Sequence, residues 1–276
     1  MNIKDLLIFG TKYLKDNNID EANLKCKILL ASILKVSKEY LIIHDLEELA
    51  ENIVTEFKNK IEDIKNGKPI QYITNKQEFM GLNFYVNENV LIPQPDTEIL
   101  VEEVISKMKQ NISLTILDLC TGSGAIAISI AKNIDKLMVS ASDISDKALE
   151  IAKKNAEANN VQVNFILSDM FENINAKYDC IVSNPPYIED SIIKTLPKEV
   201  QNEPYIALAG GEDGLKFYRI IAENAKKFLN DNGFVAVEIG YNQKDKVIQI
   251  FENEGYKNIY SKKDFGGNDR IVIANI

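Results

Sequence analysis

The chain has 276 residues, 45% hydrophobic and 26% charged, with net charge -9, which is ordinary globular composition at about two domains' length and excludes a disordered or collagen-like chain. Apolar runs such as Leu41-Ile42-Ile43 fall far short of the roughly 20 residues a bilayer span needs. Met1-Asn2-Ile3-Lys4-Asp5 lacks the basic start and apolar core of a signal peptide, so a soluble, cytoplasmic protein is expected.

Residues 1–75 carry two glycines, Gly10 and Gly67, one proline, Pro69, and a charge of about -1 from 11 basic and 12 acidic residues, so the acidity lies beyond them. Ile53, Phe57, Ile61 and Ile64 recur at helical spacing, and Leu29, Leu30, Ile33 and Leu34 form a similar face. Gly67 followed by Pro69 is a helix stop. The segment reads as a bundle of four or five helices. Across 76–95, Phe79, Leu82, Phe84 and Val86 with Gly81 between them predict an extended or hairpin linker. A helix is expected from Asp96 to Lys109.

Strands and helices then alternate through a third region, 96–276. Strands are expected at Leu114–Leu119, Met138–Ala141, Val163–Leu167, Cys180–Ser183 and Phe234–Ile239, with a last pair at Ile259 and Ile271–Ala274. Helices are expected at Ala125–Asn133, Lys147–Asn159, Gly214–Leu229 and Lys244–Glu254. Such alternation means an α/β fold, a parallel sheet with helices on both faces and ligands at the carboxyl ends of the strands.

The first of these strands runs into Asp118-Leu119-Cys120-Thr121-Gly122-Ser123-Gly124. Glycines allow a tight turn and close backbone approach to a ligand, and the helix that follows presents free N–H groups. Asp143 ends the next strand, where a carboxylate can accept from both hydroxyls of a ribose. This constellation indicates an adenosine-type cofactor without choosing it, because Gly122-x-Gly124-x-x-Ala127 also fits the dinucleotide fingerprint. Asp118 tilts the choice: a carboxylate there can face the ammonium group that S-adenosylmethionine has and NAD lacks.

Ser183-Asn184-Pro185-Pro186-Tyr187 follows the fourth strand. Asn184 offers an amide oxygen as acceptor. Pro185 and Pro186 lack N–H groups and fix φ, so the turn is stiff and presents carbonyls without competing donors. A planar –NH2 group can donate one hydrogen to Asn184 and one to the Pro185 carbonyl, while the Tyr187 ring walls the pocket. A Pro-Pro turn alone would be an ordinary surface turn; its place after a strand makes it chemical.

With the glycine loop, Asn-Pro-Pro-Tyr resembles the amino-methyltransferases that use S-adenosylmethionine. Four further stretches resemble one branch, the release-factor glutamine methyltransferases (the HemK/PrmC family): Gly67 to Tyr72, Leu91 to Glu98, Glu203 to Leu215, and Glu238-Ile239-Gly240 with Asn268-Asp269-Arg270. The resemblance implies a Rossmann-like seven-stranded methyltransferase domain behind a helical domain that docks substrate. It implies that Cys120, Thr121, Gly122, Ser123 and Gly124 contact the methionine part of the cofactor, that Asp143 holds the ribose, and that Asp169 and Met170 border the adenine. Asn184 would touch cofactor and substrate amide, with Pro185, Pro186 and Tyr187 completing the substrate pocket. Cys120 stands where glycine is common, Gln94 where arginine is usual, and Met170 where an aromatic is frequent. The implied reaction is methyl transfer from S-adenosylmethionine, leaving S-adenosylhomocysteine, to the glutamine amide nitrogen of the Gly-Gly-Gln motif in peptide chain release factors. A monomer is expected.

The alternatives are an amino-methyltransferase acting on adenine or cytosine of RNA or DNA, an NAD-dependent oxidoreductase, and a non-catalytic cofactor-binding module. Nucleic-acid binding leans on basic patches and arginine, and here the arginines are only Arg219 and Arg270. Cys26, Cys120 and Cys180 form no CxxC pair, so neither a disulfide framework nor a metal site is expected. Cys26 and Cys180 read as small buried hydrophobes and Cys120 as inert. His44, the single histidine, reads as structural.

Overall fold

A computed structural model of the chain describes residues 1–109 and 114–276. They divide into two compact units, Met1–Lys76 with Pro197–Asn202, and Gln77–Leu196 with Glu203–Ile276.

The first unit is helical: α1 Ile3–Asp16, α2 Ala22–Leu34, α3 Lys38–Ile43, α4 Glu51–Lys65 and α5 Ile70–Thr74. Short polar side chains start two of them. Asn2 caps α1 by accepting from the Asp5 N–H at 2.8 Å, and Ser37 caps α3 through the Tyr40 N–H, each satisfying a donor that the helix cannot. The expected faces are the buried ones. Phe57, Ile61 and Ile64 of α4 join Leu29 and Leu30 of α2 in one core, with Ile53, Ile33 and Leu34 packed partly buried against it. Beyond α4, the N–H groups of Gly67 and Lys68 bond back to Ile64 and Asp63, and Pro69 cannot continue the ladder. His44 follows α3 and stacks on Tyr40.

The second unit opens with the hairpin β1 Gln77–Phe79 and β2 Leu82–Phe84. A single 3-10 turn at Pro95–Thr97 leads into α6 Glu98–Met108. Then come β3 Thr115–Leu119, α7 Ala125–Asn133, β4 Met138–Asp143, α8 Asp146–Ala158, β5 Asn164–Leu167 and β6 Tyr178–Ser183. Three one-turn helices follow in the chain, α9 Asp190–Ile193, α10 Lys198–Gln201 and α11 Tyr205–Leu208, of which α10 belongs to the first unit. The chain closes with α12 Lys216–Asn224, a 3-10 turn at Ala225–Phe228, β7 Leu229–Glu238, α13 Lys244–Asn253, β8 Lys257–Lys263 and β9 Asp269–Asn275.

The seven strands order as β5-β4-β3-β6-β7-β9-β8. Pairing is parallel from β5 to β7, while β9 runs antiparallel to both β7 and β8. The central strands read as nearly unbroken apolar runs because both faces are covered; Ile116, Leu117 and Leu119 of β3 and Cys180, Ile181 and Val182 of β6 are all fully buried.

Three differences from the sequence reading stand out. Helix 214–229 stops at Asn224, and β7 starts five residues earlier than expected, through the polar stretch Asn230-Asp231-Asn232. The edge strand β8 is longer than Ile259 alone suggests, because an edge strand carries the lysines that hide its pattern. The helices α9 to α11 were not anticipated, and the Pro197–Asn202 stretch bearing α10 packs with the helical unit. There Glu199 pairs with the nearly buried Lys25, and the Asn202 amide donates to the Gly67 carbonyl at 3.0 Å.

Candidate active site

Strand order reverses between β3 and β6: β4 and β5 lie to one side of β3, and β6 and β7 to the other. At such a switch point the loops leaving neighbouring strands part and open a crevice. The glycine loop leaves β3 there, and the Asn184 turn leaves β6 one strand away.

Asp118 builds the first wall. It is fully buried in β3. Its Oδ2 accepts from the Thr121 hydroxyl at 2.6 Å and from the Ala127 N–H at 3.2 Å, capping α7 from outside the helix. Gly124 supplies no cap; its φ of +81° and the approach of α8 demand glycine, since a Cβ would lie 2.8 Å from Ile128 and 3.1 Å from Ala152. Gly122, at φ +55°, faces open space. Desolvation raises the Asp118 pKa to about 7, against which the Thr121 and Ala127 contacts pull down. The second oxygen, Oδ1, is buried without a hydrogen-bond partner among the described residues.

Asp143 ends β4 beside the loop. Its Oδ2 accepts from the Gly122 N–H at 2.8 Å and its Oδ1 from the Ser145 N–H at 2.9 Å. A carboxylate has about four acceptor positions, so both oxygens keep capacity for further donors. Burial raises the pKa of Asp143, and the backbone donors oppose the rise.

A cavity of about 970 Å³, its open mouth included, fills the crevice. Of the expected site residues, Cys120, Gly122, Asp143, Asp169, Met170, Asn184 and Pro186 line it. Asp118, Thr121 and Ser123 are buried and, like Gly124, Pro185 and Tyr187, stand outside the lining. Cys120 and Met170 both adopt left-handed backbone, with φ of 60° and 45°, and their sulfurs lie 3.8 Å apart. Burial, then the neighbouring carboxylates, push the Cys120 thiol up, so it stays protonated at neutral pH.

The cavity's other walls escaped sequence reasoning. Val90, Leu91, Ile144, Ile206 and Phe217 supply an apolar surface, and Lys216 one charge. Leu91 and Ile206 fall in stretches noted only for family resemblance, and no spacing marks any of the six. Glu203 opens another stretch noted only for family resemblance. It accepts from the Ile92 N–H at 2.9 Å and so fixes the segment that carries Val90 and Leu91. Burial raises its pKa to about 7.

The second chemical wall is the turn after β6. Ser183 anchors it by donating its hydroxyl to the Leu119 carbonyl at 2.7 Å. The Asn184 amide nitrogen donates to the Thr97 hydroxyl oxygen at 3.3 Å. The Tyr187 hydroxyl donates to Oε1 of Glu238 at 3.3 Å, and the Tyr187 carbonyl accepts from Gln243 at 2.9 Å. Segment 208–210 braces the turn through Ile188, whose N–H donates to the Leu208 carbonyl while its carbonyl accepts from the Gly210 N–H.

These residues suit S-adenosylmethionine. Spare acceptors on Asp143 match ribose hydroxyls, open space over Gly122 admits close backbone approach, and the apolar walls with the polarizable Met170 suit an adenine ring. An uncompensated buried carboxylate oxygen on Asp118 matches a nearby positive charge.

The sheet, the glycine loop and the Asn-Pro-Pro-Tyr turn together define a Rossmann-like methyltransferase. Residues 95–203 match the methyltransferase small domain family, and residues 5–74 the PrmC N-terminal domain family. A release factor glutamine methyltransferase of Clostridium acetobutylicum is 43% identical over 99% of this chain and 98% of its own length. Another from Fusobacterium nucleatum is 41% identical over 98% of this chain and 78% of its own. The chain belongs to the release factor glutamine methyltransferase family. Among solved structures, a methyltransferase of Pyrococcus furiosus superposes with a TM-score of 0.54, covering 79% of this chain and 98% of its own at 20% identity; that likeness speaks for the fold alone.

Proposed function

We propose that the protein methylates the side-chain amide nitrogen of the glutamine in the Gly-Gly-Gln motif of peptide chain release factors, using S-adenosylmethionine. The observation that carries this reading is the Asn184 turn, set at the carboxyl end of β6 on the wall of the cavity that Gly122 and Asp143 share. When bound, S-adenosylmethionine supplies an electrophilic methyl group on a sulfonium.

The chain's own residues supply position and dryness. An amide nitrogen is a poor nucleophile because its lone pair is delocalised into the carbonyl. Holding it in line can contribute about 7–11 kcal/mol in favourable cases. Asn184, whose amide nitrogen is already engaged with Thr97, keeps its oxygen for one N–H of the substrate, and the Pro185 carbonyl takes the other. Both acceptors strengthen as positive charge grows on the attacking nitrogen. The half-buried Tyr187 excludes water. The methylated nitrogen then loses a proton readily, so no histidine base is required. His44 belongs to the helical unit, exposed beside Glu47.

This reading makes release factors the partners and the cytoplasm the setting, with a monomer sufficient; among the described residues no helix is long and apolar enough to cross a membrane. The helical unit is the docking platform for the protein substrate.

The test is transfer of labelled methyl from S-adenosylmethionine with four acceptors in parallel: a release factor, its Gly-Gly-Gln variant lacking the glutamine, ribosomal RNA and DNA. Label on the intact release factor alone is expected. Label on nucleic acid instead overturns the substrate assignment and keeps the fold.

A further inference from the structure

Asn184 serves the reaction in only one of two orientations. Its side chain carries an acceptor oxygen on one arm and two N–H donors on the other, in nearly the same shape. An incoming –NH2 group needs the oxygen. Turned over, the amide would oppose donor to donor. Its chain neighbours do not decide the matter. Pro185 has no N–H, and the Ser183 hydroxyl is committed to the Leu119 carbonyl.

The deciding contact comes from the other side of the crevice. Thr97 closes the 3-10 turn that enters α6 and is 5% exposed. Its oxygen lies 3.3 Å from the Asn184 amide nitrogen. Behind it stands Glu238, at the carboxyl end of β7 and 2% exposed. The Tyr187 hydroxyl occupies Oε1 of Glu238, while Oε2 has no partner in ordinary hydrogen-bond geometry among the described residues. Thr97 is close enough for its hydroxyl to draw the pKa of this carboxylate down against the upward pull of burial, and the unfilled Oε2 is the acceptor open to it. A carboxylate only accepts, and a hydroxyl has one proton to give.

We propose that Thr97 and Glu238 are positioning residues that set the polarity of Asn184: Glu238 takes the Thr97 proton, Thr97 takes an Asn184 amide proton, and the Asn184 oxygen is thereby turned toward the substrate amide. Tyr187, bonded to the same carboxylate, ties the pocket's aromatic wall to the same anchor. The inference rests on the amide-methylation reading and names residues that reading does not use.

Thr97→Val keeps the branched shape and removes the hydroxyl; Thr97→Ser keeps the hydroxyl and removes a methyl. Glu238→Gln gives the anchor an amide that can itself donate to Thr97 and so reverse the chain of hydrogen bonds. Each variant is assayed with the release factor for kcat and KM, and by titration for S-adenosylmethionine affinity. Thr97→Val and Glu238→Gln are expected to lower kcat about 10- to 100-fold, the scale of a misplaced reacting group, with cofactor affinity within about threefold. Thr97→Ser is expected to stay within about threefold of the parent kcat, since it keeps the hydrogen bond. A packing role would give the opposite order, Val above Ser. That order, or parent-like kcat in both Thr97→Val and Glu238→Gln, overturns the proposal while leaving the function in place. A parent that methylates no release factor brings down both.

Discussion

Asp118→Asn tests how the glycine loop is held. The carboxyl is fully buried, and desolvation moves its pKa from 3.8 to about 7. A rise of that size corresponds to about 4 kcal/mol of stability lost when the group is ionised. An asparagine oxygen can accept from Thr121 and Ala127 as Oδ2 does now. Its NH2 would replace the unpartnered Oδ1, and a buried unpaired donor costs about 1–3 kcal/mol. The variant should therefore be about 1–3 kcal/mol more stable at about pH 8. The sign with pH follows from linkage. The folded chain binds this proton more tightly than the unfolded chain, so the parent loses stability as pH rises from about 4 to about 7 and carries the full penalty above that. At about pH 5.5 the variant's advantage should shrink by about 2 kcal/mol. Urea unfolding of parent and variant at both pH values gives the difference directly, with other titrating groups cancelling. S-adenosylmethionine affinity should fall as stability rises. A variant no more stable than the parent at pH 8, or an advantage equal at both pH values, would refute the reasoning.

Asn184→Ala should lower methyl transfer by about 100-fold or more, the scale of losing one aligned hydrogen-bonding group in a transition state; cofactor affinity measured by titration should weaken far less. Cys120→Gly relieves a left-handed backbone at φ 60° that costs an L-residue about 1–2 kcal/mol, and gives up the packing of its sulfur on Met170. Unfolding should show a gain of about 1 kcal/mol, and a loss would mean that the sulfur contact dominates. Turnover should fall as pH drops through about 7, where burial places the Glu238 pKa against the opposing pull of Thr97 and Arg270; a protonated Glu238 can donate and no longer dictates the Thr97 proton. A pH–rate profile flat between about 5.5 and 8 would count against this.

Much of the fold was legible because the sheet is buried on both faces. Central strands such as β3 and β6 carry apolar runs; between them α8 buries one face at helical spacing, whereas α7 is buried over six successive residues and reads as a helix from its place after the glycine loop. The glycine loop and the Asn-Pro-Pro-Tyr turn were legible because their residue types are rare in regular structure and mark strand ends. What stayed hidden has no local signature. Val90, Leu91, Ile206 and Phe217 reach the cavity from three separate stretches, and only the topology brings them together. Thr97 and Glu238 fall in stretches that resemble the family, but nothing local assigns either a role. Their meaning lies in an 87-residue separation from Thr97 to Asn184 that no window spans. The helix α10 was unreadable for a related reason: four residues cannot hold a helix by propensity alone, and packing within the helical unit decides their state.

The three buried carboxylates explain how a pocket lined by loops can be rigid. Asp118 ties the glycine loop to α7, Glu203 ties the segment beside Ile92, and Glu238 ties the Asn184 turn through Tyr187. Each wall of the crevice is thus fixed to one group whose burial lifts its pKa to about 7. Among the described residues none of the three has a salt bridge that would offset the desolvation; the nearby Arg270 is spent on Asp96 and Asp264. Apolar replacements would fold more stably and would hold nothing, because only an acceptor can pin an N–H or a hydroxyl in a chosen direction. The fold therefore gives up stability near neutral pH at the places where direction matters to the reaction, and the apolar cores of the two units supply the surplus that makes this tolerable.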